Sequence, residues 1–192
     1  VEYVYTYLFP ALWVAWGLYW LVSARNLKSP VRRESALSRW MHFGPLILAG
    51  WLLWEEQPLW PCPWLWDPYL PRTVPLFWAS AALTAAGLLF SVWARRHLGR
   101  NWSGSVTIKA DHELITTGPY RFARHPIYTG LLLAFAGNAL VVAEWRGLLA
   151  LVIVFAALWR KLKLEERFMR EQFGQKYTDY SQRVAALVPF LL

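Results

Sequence analysis

Long apolar blocks separated by basic loops set the first limit on this chain. VYTYLFPALWVAWGLYWLV, about Val4 to Val22, has the roughly 20 residues an α-helix needs to cross a bilayer. Further blocks run from about Trp40 to Trp54, Val74 to Ala94, Pro126 to Val142 and Gly147 to Trp159. The second is short and holds Pro45, so it is expected to be tilted or kinked. The last two are also short, and the break Glu144 to Arg146 between them suggests a tilted helical hairpin.

Composition agrees with a membrane class. The 192 residues are 57% hydrophobic, with 14 Trp and only 17% charged, where a soluble domain carries about a quarter charged residues. The first block has no basic residues before it, which reads as a span and not as a secretory signal peptide. The net charge of +8 would suit nucleic acid. Its basic residues lie beside apolar blocks instead, as the positive-inside rule expects, so no nucleic-acid partner is implied. Cys62 is the single cysteine, which excludes an intramolecular disulfide and a cysteine metal centre.

Loop charge also gives an orientation. Basic residues concentrate in 23–39, 95–124 and 160–183, while 55–73 and 143–146 carry few. These sides alternate correctly for five crossings, with the N-terminus outside and the C-terminus cytoplasmic. The expected fold is therefore all-α and integral to the membrane. About five transmembrane helices would carry a cytoplasmic pocket built by the C-terminal half. Residues 1–97 would supply helices one to three, and residues 98–192 the catalytic region. Within the polar segment Leu98 to Arg124, SVTIKADHELITTG alternates like a short strand pair turning at Ala110, Asp111 and His112.

The topology puts three charged stretches in one compartment. In GPYRFARHPIYTG, Pro126 suits the first position of a helix, where its missing N–H has no intrahelical partner. Unpaired N–H groups at that helix end, with Arg121, Arg124 and His125 before it, would form a corner for a carboxylate or phosphate. Two readings stay open for Arg121 and Arg124, ligand contact or anchoring by snorkelling. In WRKLKLEERFM, Lys161 and Glu165 are four residues apart, as are Glu166 and Arg170. That spacing also describes a solvated helix face laced with ion pairs. Glu165, however, sits at the membrane boundary, where a carboxylate is costly unless paired or bound to a ligand. His42, His97, His112 and His125 show no close helical spacing, so no metal is expected. P-loop, Rossmann and G-x-S-x-G patterns are not found.

LGRNWSGS, HELITTGPYRFARHPIYTG and LEERFMREQFGQKYTDYSQRV, in that order and spacing, resemble the isoprenylcysteine carboxyl methyltransferase family. This is a group of small integral-membrane enzymes that also resembles phospholipid methyltransferases. The match covers roughly Leu98 to Pro189. The resemblance implies S-adenosylmethionine as methyl donor and a lipophilic small molecule or lipid-modified group as acceptor. It implies cofactor contacts from His112, Glu113, Leu114, Ile115, Tyr120, His125, Pro126, Ile127 and Tyr128, with Glu165 closing the site. Glu165 and Lys161 would be the catalytic residues, and Arg160 with Lys161 would meet the substrate. The family commonly has a basic residue one turn before the glutamate. Here that residue is Lys161, which lacks arginine's planar fork. An alternative reading is a membrane reductase of the sterol-reductase-like type using NADPH, but the LEER and FGQKYTDY stretches fit the methyltransferases better. The residues do not set the acceptor or an oligomeric state, since Trp-rich spans can face lipid or a partner.

Overall fold

The computed structural model describes residues 2–25, 30–57, 61–109 and 113–188. His112, expected in the cofactor site, and the turn at Ala110, Asp111 and His112 lie outside the described residues. Six α-helices form among the described residues: α1 (Glu2–Ser23), α2 (Ala36–Trp54), α3 (Val74–Leu98), α4 (Pro126–Val142), α5 (Trp145–Phe173) and α6 (Gln175–Arg183).

Local chemistry explains most helix ends. The Ser35 hydroxyl accepts from Ser38 N at 3.2 Å and starts α2, and Thr73 Oγ1 accepts from Leu76 N at 3.3 Å at the start of α3. Pro126 is the first residue of α4, as its fixed φ favours. Ala143, at φ 55°, ends α4 in the left-handed region and turns the chain into α5. Gly174, at φ 54°, ends α5. The chain resumes at once as α6.

The described residues are helical apart from one short strand pair, as the all-α expectation has it, and that pair corrects the expected local hairpin. β1 (Pro30–Arg33) pairs antiparallel with β2 (Thr107–Lys109), Arg33 lying opposite Thr107. Residues 113–117 form no strand. Alternation reports that a segment is extended but does not name its partner. The partner here is more than 70 residues away in the chain. Glu34 continues the junction, since its N donates to Val106 O and its Oε1 accepts from Val106 N, both at 3.0 Å.

α3 and α4 pack closely because small residues line their contact. A Cβ on Gly130 would stand 2.5 Å from Gly87 O and 2.9 Å from Ser91 Cβ, and one on Gly87 would stand 2.5 Å from Ala134 N. Where lipid is as apolar as a side chain, close backbone approach of this kind holds helices together. Gly130→Leu is therefore expected to lower the thermal midpoint by several degrees, reflecting an overpacking cost of about 1–3 kcal/mol. A scan in detergent checks this, with Gly17→Leu as control because nothing lies within 4 Å of that position.

α1 is tied inward by its tryptophans. Trp13 Nε1 donates to Asn138 Oδ1 at 3.3 Å, and Trp16 Nε1 to Ser91 Oγ at 2.8 Å. Asn138 Nδ2 donates in turn to Ala134 O at 2.8 Å. Both rings thus serve packing between helices.

The outward faces stay apolar, with Leu18, Leu21, Ile47, Trp78, Leu89 and Val152 exposed. Such a surface suits hydrocarbon better than water. Among the described residues, one helix is long and apolar enough to cross a membrane, Val74–Asn101. Pro126–Val142 is apolar but shorter.

Candidate functional site

The charged end of α5 and the start of α4 meet beside residues 101–107 and 113–115, and a cavity of about 380 Å³ lies between them. Its polar wall comes from His125, Tyr128, Lys161, Glu165, Asn101 and Glu113. Its apolar wall comes from Trp16 and Trp20 of α1, Phe43 and Leu46 of α2, and Leu131 of α4. Leu114, Ile115, Tyr120 and Ile127 also face it.

Glu165 is the hub of the polar wall. The Tyr128 hydroxyl donates to its Oε1 at 2.6 Å, and His125 Nδ1 lies 3.4 Å from its Oε2. Lys161 Nζ, one turn back on α5, is 4.0 Å from Oε1 and donates to Gly104 O at 3.0 Å. The i, i+4 spacing read from the sequence thus belongs to a half-enclosed pair facing a cavity. Burial pushes the Glu165 carboxyl upward, but His125, Lys161 and Tyr128 outweigh it and hold the group below the usual carboxylate range.

At the expected anion corner, Arg124 and His125 meet a carboxylate of the chain itself, the second glutamate of LEER. Glu166, with a side chain only 2% exposed, accepts from Arg124 Nε at 2.8 Å and Nη2 at 2.5 Å. It also accepts from Arg170 at 3.1 Å and lies 3.6 Å from His125 Nε2. Arg124 Nη1 donates onward to Ser181 O, at 2.9 Å, and to Val184 O. The backbone N–H groups of Arg124 and His125 donate to Ala185 O and Ala186 O, each at 2.9 Å. Arg124 is therefore a clamp between α5 and the C-terminal segment. Arg121 lies over the Phe122 ring at 4.6 Å.

His125 stands between the two glutamates. Burial pulls its imidazole down, yet the two carboxylates outweigh burial and raise it. For Glu166, burial is opposed by His125 and Arg124, and the carboxyl falls to about 2. The signs give a pH window. A lowered carboxyl stabilises the fold above its ordinary value of 4.5 and loses that contribution as pH falls toward 2. A raised imidazole contributes fully below 6.5 and loses that contribution as pH climbs through its higher folded value. The thermal midpoint should thus hold a plateau between those two ordinary values and decline on both sides. In His125→Asn the alkaline decline should flatten while the acid decline persists, which melting curves across pH would record.

Pro126 is buried at the head of α4 and sets the direction of Ile127 and Tyr128. Arg160 donates to Ser38 O at 3.1 Å and to Ser38 Oγ at 3.2 Å. It lies 3.3 Å from His42 Nδ1, joins α5 to α2 and is not part of the cavity wall. Tyr120 is held by Tyr180, whose hydroxyl donates to Tyr120 O at 2.5 Å. Burial first, and then Glu165, push the Tyr120 phenol well up, keeping it neutral. Residues not read as site residues from the sequence include Trp16, Trp20, Phe43 and Asn101, which reach the cavity only through the tertiary fold.

The cavity-forming half of the chain is also where known proteins match. The family model described as phospholipid methyltransferase matches residues 76–176, more than half of the chain and the stretch holding His125, Tyr128, Lys161 and Glu165. Protein-S-isoprenylcysteine O-methyltransferase B of Arabidopsis thaliana is 31% identical over 99 residues, 48% of this chain and 49% of that protein. Protein-S-isoprenylcysteine O-methyltransferase of Saccharomyces cerevisiae is 32% identical over 99 residues, covering 48% and 40%. The chain thus spans half or less of the length of these relatives. The solved structure of the eukaryotic intramembrane Ras methyltransferase ICMT, isoprenylcysteine carboxyl methyltransferase, aligns with a TM-score of 0.56 at 22% identity. It covers 84% of this chain and 55% of that one, a likeness of fold. The matched stretch begins in α3 and ends in α6, taking in the α4 start and the LEER turn of α5; on that match, the chain belongs to the phospholipid methyltransferase family.

Proposed function

We propose that the chain is a multi-pass membrane methyltransferase that uses S-adenosylmethionine to methylate a lipophilic small molecule or lipid-modified group. The observation that carries this reading is the two-sided cavity, with Glu165, His125, Tyr128 and Lys161 on one wall and Trp16, Trp20, Phe43 and Leu46 on the other. A polar, charged cofactor suits the first wall, and a greasy acceptor suits the second.

The residues present fit that cofactor. Asn101 Oδ1 is buried without a hydrogen-bond partner among the described residues, and its side chain faces the cavity. It would accept from an amine or hydroxyl of a ligand. Glu165, held as a carboxylate, would meet an ammonium or ribose hydroxyls. Glu113, Leu114, Ile115, Tyr120, His125, Ile127 and Tyr128 would complete the enclosure. S-adenosylmethionine supplies an electrophilic methyl group on a sulfonium. The protein's part is then alignment of the acceptor and exclusion of water, which the ring-lined wall favours. The ammonium of Lys161 would steady an acceptor that arrives as an anion, with no general base required.

The proposed topology keeps five crossings, the N-terminus outside, and the C-terminus with the pocket cytoplasmic. Residues 1–97 supply the N-terminal helices and 98–192 the catalytic region. A thermal-shift screen tests the reading. S-adenosylhomocysteine should raise the midpoint of the detergent-solubilised protein and NADPH should not. Stabilisation by NADPH alone would favour the reductase class instead.

A further inference from the structure

A second cavity, of about 1140 Å³, lies farther along the same three helices. On α1 the first cavity is lined by Trp16 and Trp20, and the second by Trp13 and Phe9. On α4 the boundary falls between Leu131 and Phe135, and on α2 between Leu46 and Gly50. Each boundary is about one helical turn wide. The two spaces therefore share walls and are parted by a thin layer of side chains.

In that layer Trp16 and Leu131 face the first cavity, and behind them, facing the second, stand Trp13 and Phe135. Their rings pack at 5.0 Å between centroids, inclined by 58°. Trp13 cannot swing aside freely, because its Nε1 donates to Asn138 Oδ1 and its ring packs edge-on against Trp16 at 5.6 Å. Trp16 is held in turn by Ser91. A pinned pair of this kind is a wall and not a loose plug.

Size then sets a limit on what the reaction cavity can take. Its 380 Å³ lies near the lower end of the roughly 300–1,000 Å³ common for ligand sites, and a nucleoside-sized cofactor would use much of it. From Tyr128, beside Glu165, to Phe135 the distance along α4 is about 10 Å at the helical rise. We infer that the Trp13–Phe135 pair ends the acceptor chamber and restricts it to acceptors with a short apolar tail. The inference rests on the methyltransferase reading and names the acceptor class for that same site. Opening the wall would join the chamber to the larger cavity and admit longer tails.

The test uses N-acetylcysteines carrying S-butyl, S-octyl, S-dodecyl or S-hexadecyl tails, added to the detergent-solubilised protein with S-adenosylhomocysteine present. Partition of each probe into micelles is common to all variants, so length profiles are compared between proteins. The wild-type thermal shift should peak at butyl or octyl and be at least halved at hexadecyl. In Trp13→Ala, and separately in Phe135→Leu, the peak should move to dodecyl or longer. Phe135→Leu keeps an apolar side chain and both partners of the Trp13 hydrogen bond, so it serves if Trp13→Ala does not fold. A wild-type peak at hexadecyl, a flat profile, or the same profile in wild type and variants would overturn the inference. If S-adenosylhomocysteine still stabilises the protein in those cases, only the partition falls. Loss of that stabilisation in the wild type would overturn the methyltransferase reading and the partition with it.

Discussion

Glu165→Ala is expected to reduce methyl transfer at saturating donor by at least about a hundredfold while leaving a folded protein. The carboxylate is the common partner of the Tyr128 hydroxyl at 2.6 Å, His125 at 3.4 Å and Lys161 at 4.0 Å. Removing it frees all three to move, and a displacement of about 1 Å among positioning groups costs on the order of 10²-fold in rate. Glu165→Gln separates charge from shape. It keeps an acceptor for Tyr128 but lacks the charge that Lys161 and His125 neutralise, so its rate should fall between those of the wild type and Glu165→Ala. Transfer of a labelled methyl group from S-adenosylmethionine into total lipid extract measures both variants, whichever lipid carries the acceptor.

The second large effect is on stability. Arg124→Ala removes the clamp that holds Glu166, Ser181 O and Val184 O together. Glu166 is left buried with Arg170 and His125 as its remaining cationic neighbours among the described residues. Breaking a buried pair by deleting one partner costs about 3–5 kcal/mol, because the charge left behind has lost its compensation. The expected result is a large fall in thermal midpoint, with proteolysis reaching the α6 segment first. Restoring charge with Arg124→Lys should recover less than half of the loss, since lysine cannot give the forked pair that Glu166 accepts. The double change Arg124→Leu with Glu166→Leu should be less harmful than Arg124→Ala alone, as no buried charge would remain unpaired.

The sequence revealed the helices better than their contacts. The fourth apolar block matches α4 at both ends because Pro126 and the polar break supply explicit boundaries. Arg121 and Arg124 show the opposite case. Both stand before the same helix, yet one lies over a neighbouring ring and the other is committed to a glutamate 42 residues away. No local pattern separates two arginines whose roles are set by which helix arrives beside them. The strand pair is another instance, since Thr107–Lys109 was legible as extended but its partner at Pro30–Arg33 was not. Within the site, motif-bearing residues such as His125 and Glu165 were legible. The apolar wall was not, because Trp16, Trp20 and Phe43 sit in helices whose aromatic content suits lipid and packing equally.

On the proposed reading, Glu165 and His125 together hold the methyl donor in this cavity. Isothermal calorimetry of S-adenosylhomocysteine binding to the detergent-solubilised protein tests it most directly. Saturable binding to the wild type is expected, with a loss of at least about tenfold in affinity, roughly 1.4 kcal/mol, in each of His125→Ala and Glu165→Ala. Unchanged affinity in both variants, with melting curves showing them folded, would contradict it.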